Sequence, residues 1–164
     1  MRNSLTAVLL LLAPILAAAS GISVDPSYIK FSEVDLKGVV RLEKKAGYLL
    51  KLNNTGKTDT TYIISLQSCK ESGIKPNGGY AEVPDLNWFV FKSTEVVVPG
   101  NSTGCLRYLE VSAPSGGNYE NKRWQVVLKI AKRVSGQVGM DVQIPVWIET
   151  KVAKKSGKTI GDGK

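Results

Sequence analysis

Hydrophobic and polar residues alternate with a period of two in several short stretches of this chain, which is typical of half-buried β-strands. In the clearest stretch, 124–130, every second residue is apolar, and Gln125 and Lys129 fall on the opposite face. Further strands are predicted at 22–24, 28–31, 39–42, 48–52, 60–66, 88–91, 95–98, 106–113 and 140–148. No stretch after residue 20 keeps a helical period. The pattern predicts an all-β fold, a single antiparallel sandwich of about seven or eight strands.

Turn residues divide these strands. Pro99-Gly100 ends a run of valines and predicts a type II turn, with a positive φ at Gly100. The strands 48–52 and 60–66, separated by a polar turn at 53–59, form the best hairpin candidate. Between residues 67 and 87, frequent Gly and Pro predict a long irregular loop, and loops of that length are often functional.

The first twenty residues predict a cleaved signal peptide. Arg2 precedes an apolar run from Leu5 to Leu16, and the small residues at 17–20 favour cleavage after Ala19 or Ser20. A membrane anchor is the alternative, but the run is shorter than the roughly 20 residues that span a bilayer. The expected organisation is a signal peptide at 1–20, one domain at 21–150 and a basic, disordered tail at 151–164. The protein is expected to be periplasmic or extracellular, and not membrane-spanning after cleavage.

Two cysteines, Cys69 and Cys105, are the only ones in the chain. In an exported protein they predict one disulfide, whereas in a reducing compartment they would be two buried thiols. Because the chain contains no His, two sulfurs cannot complete the usual four-ligand zinc set, and no metal or cofactor is predicted.

The formal net charge is +8, and basic residues concentrate at the C-terminus. The last fourteen residues contain five lysines, Lys151, Lys154, Lys155, Lys158 and Lys164, against Asp162 alone. Such a tail can bind an anionic surface such as an envelope polymer, or it can simply be an unstructured, solubilising end. Nucleic acid is not an expected partner, because no aromatic residue interleaves with the lysines.

The sequence gives little support for an enzyme. Histidine, the commonest general base, is absent, and neither a nucleophile elbow nor a phosphate-binding loop is present. Glu82 and Asp85 could act as a carboxylate pair in a hydrolase, although acidic residues in a loop are more often solvated. The sequence therefore predicts a protein that is not an enzyme.

Tyr80, Trp88 and Tyr119 suggest a sugar-binding platform, since two of the three lie in or beside Gly-rich loops. Such a platform would make the chain a carbohydrate-binding module that uses the 67–87 loop. Packing in the core is the alternative for Trp88. Asn53 and Asn101 each begin an Asn-x-Thr triplet, which accepts a glycan only in some secretory routes.

The ends of the predicted domain resemble a known family. Residues 22–31, the segment 50–56 with the following Tyr62, and residues 139–148 are similar to strands of the immunoglobulin-like domains of periplasmic pilus-assembly chaperones and the major sperm protein group. The resemblance implies an immunoglobulin-like sandwich. In those chaperones an Arg on the first strand and a Lys on the closing strand anchor a subunit's carboxylate. Tyr28 occupies the Arg position here, and no Lys lies between Met140 and Thr150.

The resemblance favours an interaction module that pairs strands with another envelope or surface protein, as in a pilus-like assembly. Sandwich sheets with open edges can accept a partner's strand. The expected edges are the first strand, interrupted at Pro26, and the closing strand with its apolar residues Val142, Ile144, Val146 and Ile148.

Overall fold

A computed structural model describes residues 22–35, 38–41, 50–106, 109–114, 118–134 and 137–151. Within these ranges the chain forms twelve strands, a one-turn helix α1 (Cys69–Ser72) and a 3₁₀ turn (Leu86–Trp88). The strands are β1 Ile22–Asp25, β2 Ile29–Val34, β3 Val40–Arg41, β4 Leu50–Asn54, β5 Thr60–Gln67, β6 Ala81–Glu82, β7 Phe89–Phe91, β8 Glu95–Val98, β9 Ser102–Leu106, β10 Leu109–Val111, β11 Arg123–Val134 and β12 Gln137–Thr150. The predicted all-β class is confirmed. The predicted signal peptide and the tail beyond Lys151 lie outside the described residues.

One layer is a six-stranded sheet. Five of its strands follow the order β2-β12-β11-β5-β8, and the sixth, β6, pairs with β11. The long β11–β12 hairpin forms its centre, with Trp124 opposite Ile148 and Ile130 opposite Val142. β2 runs parallel to β12, and β6 runs parallel to β11. The two strands that the sequence predicts most clearly therefore become the middle of the sheet.

The other layer consists of two three-stranded sheets, β1-β4-β9 and β3-β10-β7. The predicted hairpin of 48–52 with 60–66 is wrong, because β4 pairs with β1 and β9 whereas β5 pairs with β11 and β8. The chain crosses between layers from β4 to β5, and it crosses back from β8 to β9.

Asn54 explains why the first crossing forms instead of a hairpin. Its side chain is only 4% exposed, and Nδ2 donates to the carbonyl oxygens of Thr58, Val98 and Pro99 at 2.8, 3.0 and 3.1 Å. Its Oδ1 accepts from the Gly56 N–H at 3.0 Å. One buried amide thus satisfies main-chain groups of both crossings and holds them together.

The second crossing also corrects the turn prediction. The positive φ occurs at Asn101 (52°) and not at Gly100. Gly100 is needed for a different reason, since a Cβ there would collide with the carbonyl oxygen of Lys57 in the first crossing. The Asn101 N–H donates to the Gly56 carbonyl at 2.8 Å, which joins the two crossings again.

A single hydrophobic core lies between the layers. It includes Leu52 and Val111 from the three-stranded sheets and Ile64, Leu128 and Ile148 from the six-stranded sheet, all almost fully buried. Because residues of all three sheets share one cluster, the fold is a two-layer sandwich.

The 67–87 segment is more regular than the sequence prediction allowed. The Ser68 hydroxyl accepts from the Glu71 N–H at 3.0 Å, and the Glu71 carboxylate accepts from the Ser68 N–H at 3.0 Å. This reciprocal capping starts α1, and Gly73 ends it with a φ of 72°. β6 then pairs with β11 within the sheet, and the part of the segment before β6 reaches the outer face, where the Asn77 N–H donates to the Gln125 side chain.

Candidate functional site: a half-open strand edge and an outer aromatic column

β12 is paired with β11 along one side, apart from a bulge between Val138 and Asp141, and on the other side it is paired only over its last third. There β2 begins at Ile29, which lies opposite Val146. The preceding strand β1 has crossed to the other layer, where it pairs with β4. Among the described residues, therefore, no strand pairs with residues 137–145 on the β2 side. We call this stretch the open half of β12.

The main-chain groups of the open half alternate in direction. The Thr150 N–H donates to the Lys122 carbonyl beside β11, whereas the Lys151 N–H donates to the Val34 carbonyl of β2. Because direction alternates with each residue of a regular strand, the odd-numbered residues from Asp141 onward face the β2 side, up to the bulge between Asp141 and Val138. Asp141 and Gln143 thus direct N–H and C=O groups toward the open side. Pro145 has no N–H to offer there, and its carbonyl lies where Ile29 begins the pairing with β2.

Side chains on the two faces of the open half differ. On the inner face Ile144 is buried, and Val142 and Val24 of β1 are half-buried against the core. On the outer face the Asp141 carboxylate pairs with Lys129 Nζ at 2.8 Å. The open half thus offers apolar surface inward and polar surface outward, as a strand partner would require.

An aromatic column crosses the outer face beside this edge. The rings of Tyr28 and Trp147 stack with centroids 4.9 Å apart and planes at 30°. The ring of Tyr80 lies on Trp147 at 5.7 Å and 32°, and the Arg123 guanidinium lies 6.0 Å from the Tyr80 centroid. We call these four residues the outer column. Tyr28 is its most accessible member, at 45% exposed.

Glu149 anchors the charged end of the outer column. Its carboxylate accepts from the Tyr80 hydroxyl at 2.8 Å and pairs with Lys30 Nζ at 3.0 Å and Arg123 Nε at 3.6 Å. The Ser32 hydroxyl donates to it at 3.3 Å. The hydrogen bond from Tyr80, assisted by Lys30, lowers the pKa of Glu149. Conversely, the Glu149 carboxylate raises the pKa of Lys30, and burial together with the same carboxylate raises the pKa of Tyr80.

Gln125 connects the outer column to the 67–87 segment. Its Oε1 accepts from Trp147 Nε1 at 2.9 Å and from the Asn77 N–H at 2.8 Å. The alternation predicts an exposed Gln125, and this is wrong, because the segment covers it and leaves it 1% exposed. A buried amide with two partners holds the indole of Trp147 in one orientation.

The predicted sugar platform of Tyr80, Trp88 and Tyr119 does not form. Trp88 is 4% exposed and contacts Tyr119 edge-on at 5.4 Å and Trp124 at 5.8 Å, inside the core. Tyr80 instead belongs to the outer column. The separation arises because Trp88 sits in the 3₁₀ turn that leads into β7, whereas Tyr80 precedes β6 on the outer face.

The predicted disulfide is not formed, and both cysteines are free. Cys69 is buried at the start of α1, where its Sγ lies 3.6 Å from the Gln125 carbonyl oxygen. Cys105 lies on β9 opposite Lys51, in the other layer. Burial raises the pKa of the Cys69 thiol.

The partner edge stays a prediction, and the structure places only two of its four residues where no described strand pairs on the β2 side. Val142 and Ile144 lie in the open half, whereas Val146 and Ile148 lie where β2 covers β12. β1 is an edge of its sheet, as expected for the first strand. Of the tail lysines only Lys151 is described, with Nζ 3.8 Å from the Asp35 carboxylate; Lys154, Lys155 and Lys158 lie outside the described residues.

The possible catalytic carboxylates have local structural partners. Glu82 accepts from the Lys70 N–H at 3.2 Å, and Asp85 caps the 3₁₀ turn by accepting from the Asn87 N–H at 2.9 Å. A shallow groove beside them is lined by Glu82 and Lys70 but not by Asp85. The groove therefore does not present the two carboxylates as a pair.

No family model matches the sequence, and the search of curated proteins returns no similar chain. Solved structures do resemble it. The ASH/PapD-like domain 7 of human CEP192 superposes with a TM-score of 0.54 at 12% identity, over 94% of this chain and all of that one. The E. coli chaperone DraB gives 0.52 at 8% identity, over 82% of this chain and 57% of DraB. A Bacteroides ovatus protein thought to bind carbohydrate gives 0.53 at 11%, over 79% of this chain and 37% of that one.

At these identities the comparisons concern the fold alone. They confirm the immunoglobulin-like, PapD-like sandwich that the ends of the sequence indicated. This chain spans little more than half of DraB, so the comparison covers only part of that protein. Within the described residues, no helix has the length and apolar character needed to cross a membrane.

Proposed function

We propose that this protein is an exported, non-enzymatic binding module. It holds an extended segment of another envelope or surface protein as an added strand on the open half of β12. The observation that carries this proposal is the late start of β2, which leaves the main-chain groups of Asp141 and Gln143 directed to a side where no described strand pairs with them. Main-chain hydrogen bonds would supply affinity, and the pattern of alternate side chains would supply selectivity.

The size and surroundings of the open half support this role. Residues 141–145 continue the regular register of β12 beyond β2 and span roughly 16 Å of extended chain, at ~3.3 Å per residue, before the bulge between Asp141 and Val138 interrupts it. Apolar side chains of an added strand would contact Val142 and Val24, which are half-buried at this edge of the sandwich. Exposed edges attract strands from other chains, and Pro145 limits the pairing by removing one donor.

A proline substitution can test this edge without breaking the sheet. Gln143→Pro removes an N–H that faces the open side, so the β11–β12 ladder should survive and stability should fall by less than about 1 kcal/mol. Val142→Pro or Ile144→Pro would instead remove a hydrogen bond to β11 in the middle of the sheet and should destabilise the protein more than Gln143→Pro. Val97→Pro is the matched control, because Val97 lies on β8 at the opposite edge of the same sheet.

The readout is recovery of partners from an envelope extract of the source cells with immobilised wild type, Gln143→Pro and Val97→Pro. We expect one recovered protein to be lost with Gln143→Pro and kept with Val97→Pro, while circular dichroism shows all three folded. Equal recovery by all three proteins would contradict the proposal, as would loss with Val97→Pro alone.

A further inference from the structure

The open half of β12 ends at Tyr28. Ile29 pairs with Val146, so Tyr28 stands beside Pro145 at the last position before β2 begins. A strand added to the open half would lie in line with β2, and one of its ends would reach Tyr28. The edge of this site is therefore bounded by an aromatic residue.

Tyr28 projects to the outer face, since its ring stacks on that of Trp147. Gln143 and Asp141 belong to the same face, because side chains alternate along β12. A partner side chain opposite Gln143 would also project outward, two residues from Tyr28 along the same sheet position. That spacing is about 7 Å, at the upper end of the range for ring-to-ring contacts.

The ring of Tyr28 is held in place before any partner arrives. Trp147 supports it, and Trp147 is itself fixed by its hydrogen bond to Gln125 and by the ring of Tyr80. Tyr28 nevertheless remains 45% exposed. A pre-oriented ring with accessible surface loses little conformational entropy when it binds.

Three cations of this outer face are already ion-paired. Lys30 and Arg123 both contact Glu149, and Lys129 contacts Asp141. A charged partner side chain would lose hydration here and would have to compete with these pairs. A flat apolar ring gains stacking without that cost.

We propose that Tyr28, supported by Trp147 and flanked by Pro145, forms a subsite that takes an aromatic side chain from the outer face of the added strand. This inference rests on the proposed function and names the kind of segment that the edge selects. The partner is a segment with alternating apolar residues for the inner face and an aromatic residue on its outer face near one end.

The test uses acetylated, amidated nine-residue peptides in which Val alternates with Ser or Thr. One outer position is Tyr, Leu, Lys, Glu or Ser, placed near the N-terminus in one series and near the C-terminus in the other, so both strand directions are sampled. Affinities for the full-length mature protein are measured by NMR titration. We expect the Tyr peptide of one series to bind about two- to tenfold more tightly than its Ser counterpart.

The variants assign that preference to Tyr28. Tyr28→Ala should remove it and Tyr28→Phe should keep it, while Val97→Ala, an exposed residue at the opposite edge, should leave it unchanged. Tyr28→Leu replaces Tyr28→Ala if the latter does not fold, since it removes the ring but keeps an apolar side chain. The NMR spectra of the free variants report folding.

The two ways of failing are distinguishable. If all peptides bind alike, or if Tyr28→Ala and Tyr28→Leu keep the preference, the subsite is wrong although the strand-binding edge stands. If no peptide binds, or if Gln143→Pro leaves peptide binding unchanged, the proposed function fails and the subsite fails with it.

Discussion

Two aromatic clusters in this protein use the same residue types in opposite ways. Trp88, Tyr119 and Trp124 meet edge to face, with Trp88 almost completely enclosed. The outer column stacks its rings nearly parallel across an open face and ends in charged groups at Glu149. The inner cluster is part of the core, whereas the outer column connects β2, β12 and the 67–87 segment. Tyr80 and Tyr119 both lie near Gly-rich loops, yet one belongs to the outer column and the other to the inner cluster. Proximity to such a loop therefore does not predict which cluster an aromatic residue joins.

The largest expected effect is on the inner cluster. Trp88→Ala should lower the free energy of unfolding by about 3–5 kcal/mol, because it leaves a cavity among enclosed rings. Trp147→Ala should cost about 2 kcal/mol, since it removes two ring contacts and one hydrogen bond from a half-buried position. Urea denaturation followed by far-UV circular dichroism measures both. If Trp147→Ala costs as much as Trp88→Ala, the outer column is as much a part of the core as the inner cluster.

Alternating patterns predict which segments are strands, but not which strands pair. β11 and β12 are evident from their period of two and pair as neighbours. β4 and β5 are equally clear as strands, yet they lie in different layers. The difference depends on Asn54, whose amide satisfies carbonyls of both crossings. An Asn in a turn-like sequence indicates a turn, but only the folded chain shows that its partners come from residues 58, 98 and 99.

The candidate site shows the same limit. The resemblance of the chain ends correctly indicated the closing strand, and the alternation placed Trp147 on its outward face. The sequence could not show that β2 covers only the last third of β12, because that depends on where the chain crosses between layers. Nor does any local pattern bring Tyr28 and Tyr80 onto Trp147. A capping box at Ser68 and Glu71 is the one readable signal that the 67–87 segment is structured.

The second prediction concerns pH and separates the clusters by charge. Folding lowers the pKa of Glu149 below its ordinary 4.5. The contribution of the ionised Glu149 to folding stability is therefore complete above pH 4.5 and is lost as the pH falls through the folded-state pKa. The pKa of Lys30 is raised above 10.5, so its contribution is present below pH 10.5 and is lost as pH rises through the folded-state value. The ionised pair therefore stabilises the outer column between these limits, whereas Trp88 and Trp124 of the inner cluster carry no ionisable group.

Glu149→Gln tests this assignment. We expect a loss of stability at pH 7 that is smaller than that of Trp147→Ala, because Lys30 and Arg123 lose their ionic partner but are themselves substantially exposed. The difference from wild type should shrink below pH 4.5, as measured by urea denaturation across pH 3–7. Glu110→Gln is the control, since it removes an ion pair with Arg41 that lies away from the outer column. A difference that stays constant down to pH 3 would show that Glu149 contributes through packing instead of charge.

The smallest effect is expected from Tyr80→Phe, which keeps the ring on Trp147 and removes only the hydroxyl that donates to Glu149 at 2.8 Å. The loss should be about 1 kcal/mol, the usual contribution of one hydrogen bond. In a double-mutant cycle with Glu149→Ala, which removes the acceptor oxygen that Glu149→Gln would keep, the two losses should not add, because both remove the same bond. Additive losses would mean that ring stacking alone holds Tyr80. Both aromatic clusters would then be stabilised by ring contacts and would differ only in their exposure to solvent.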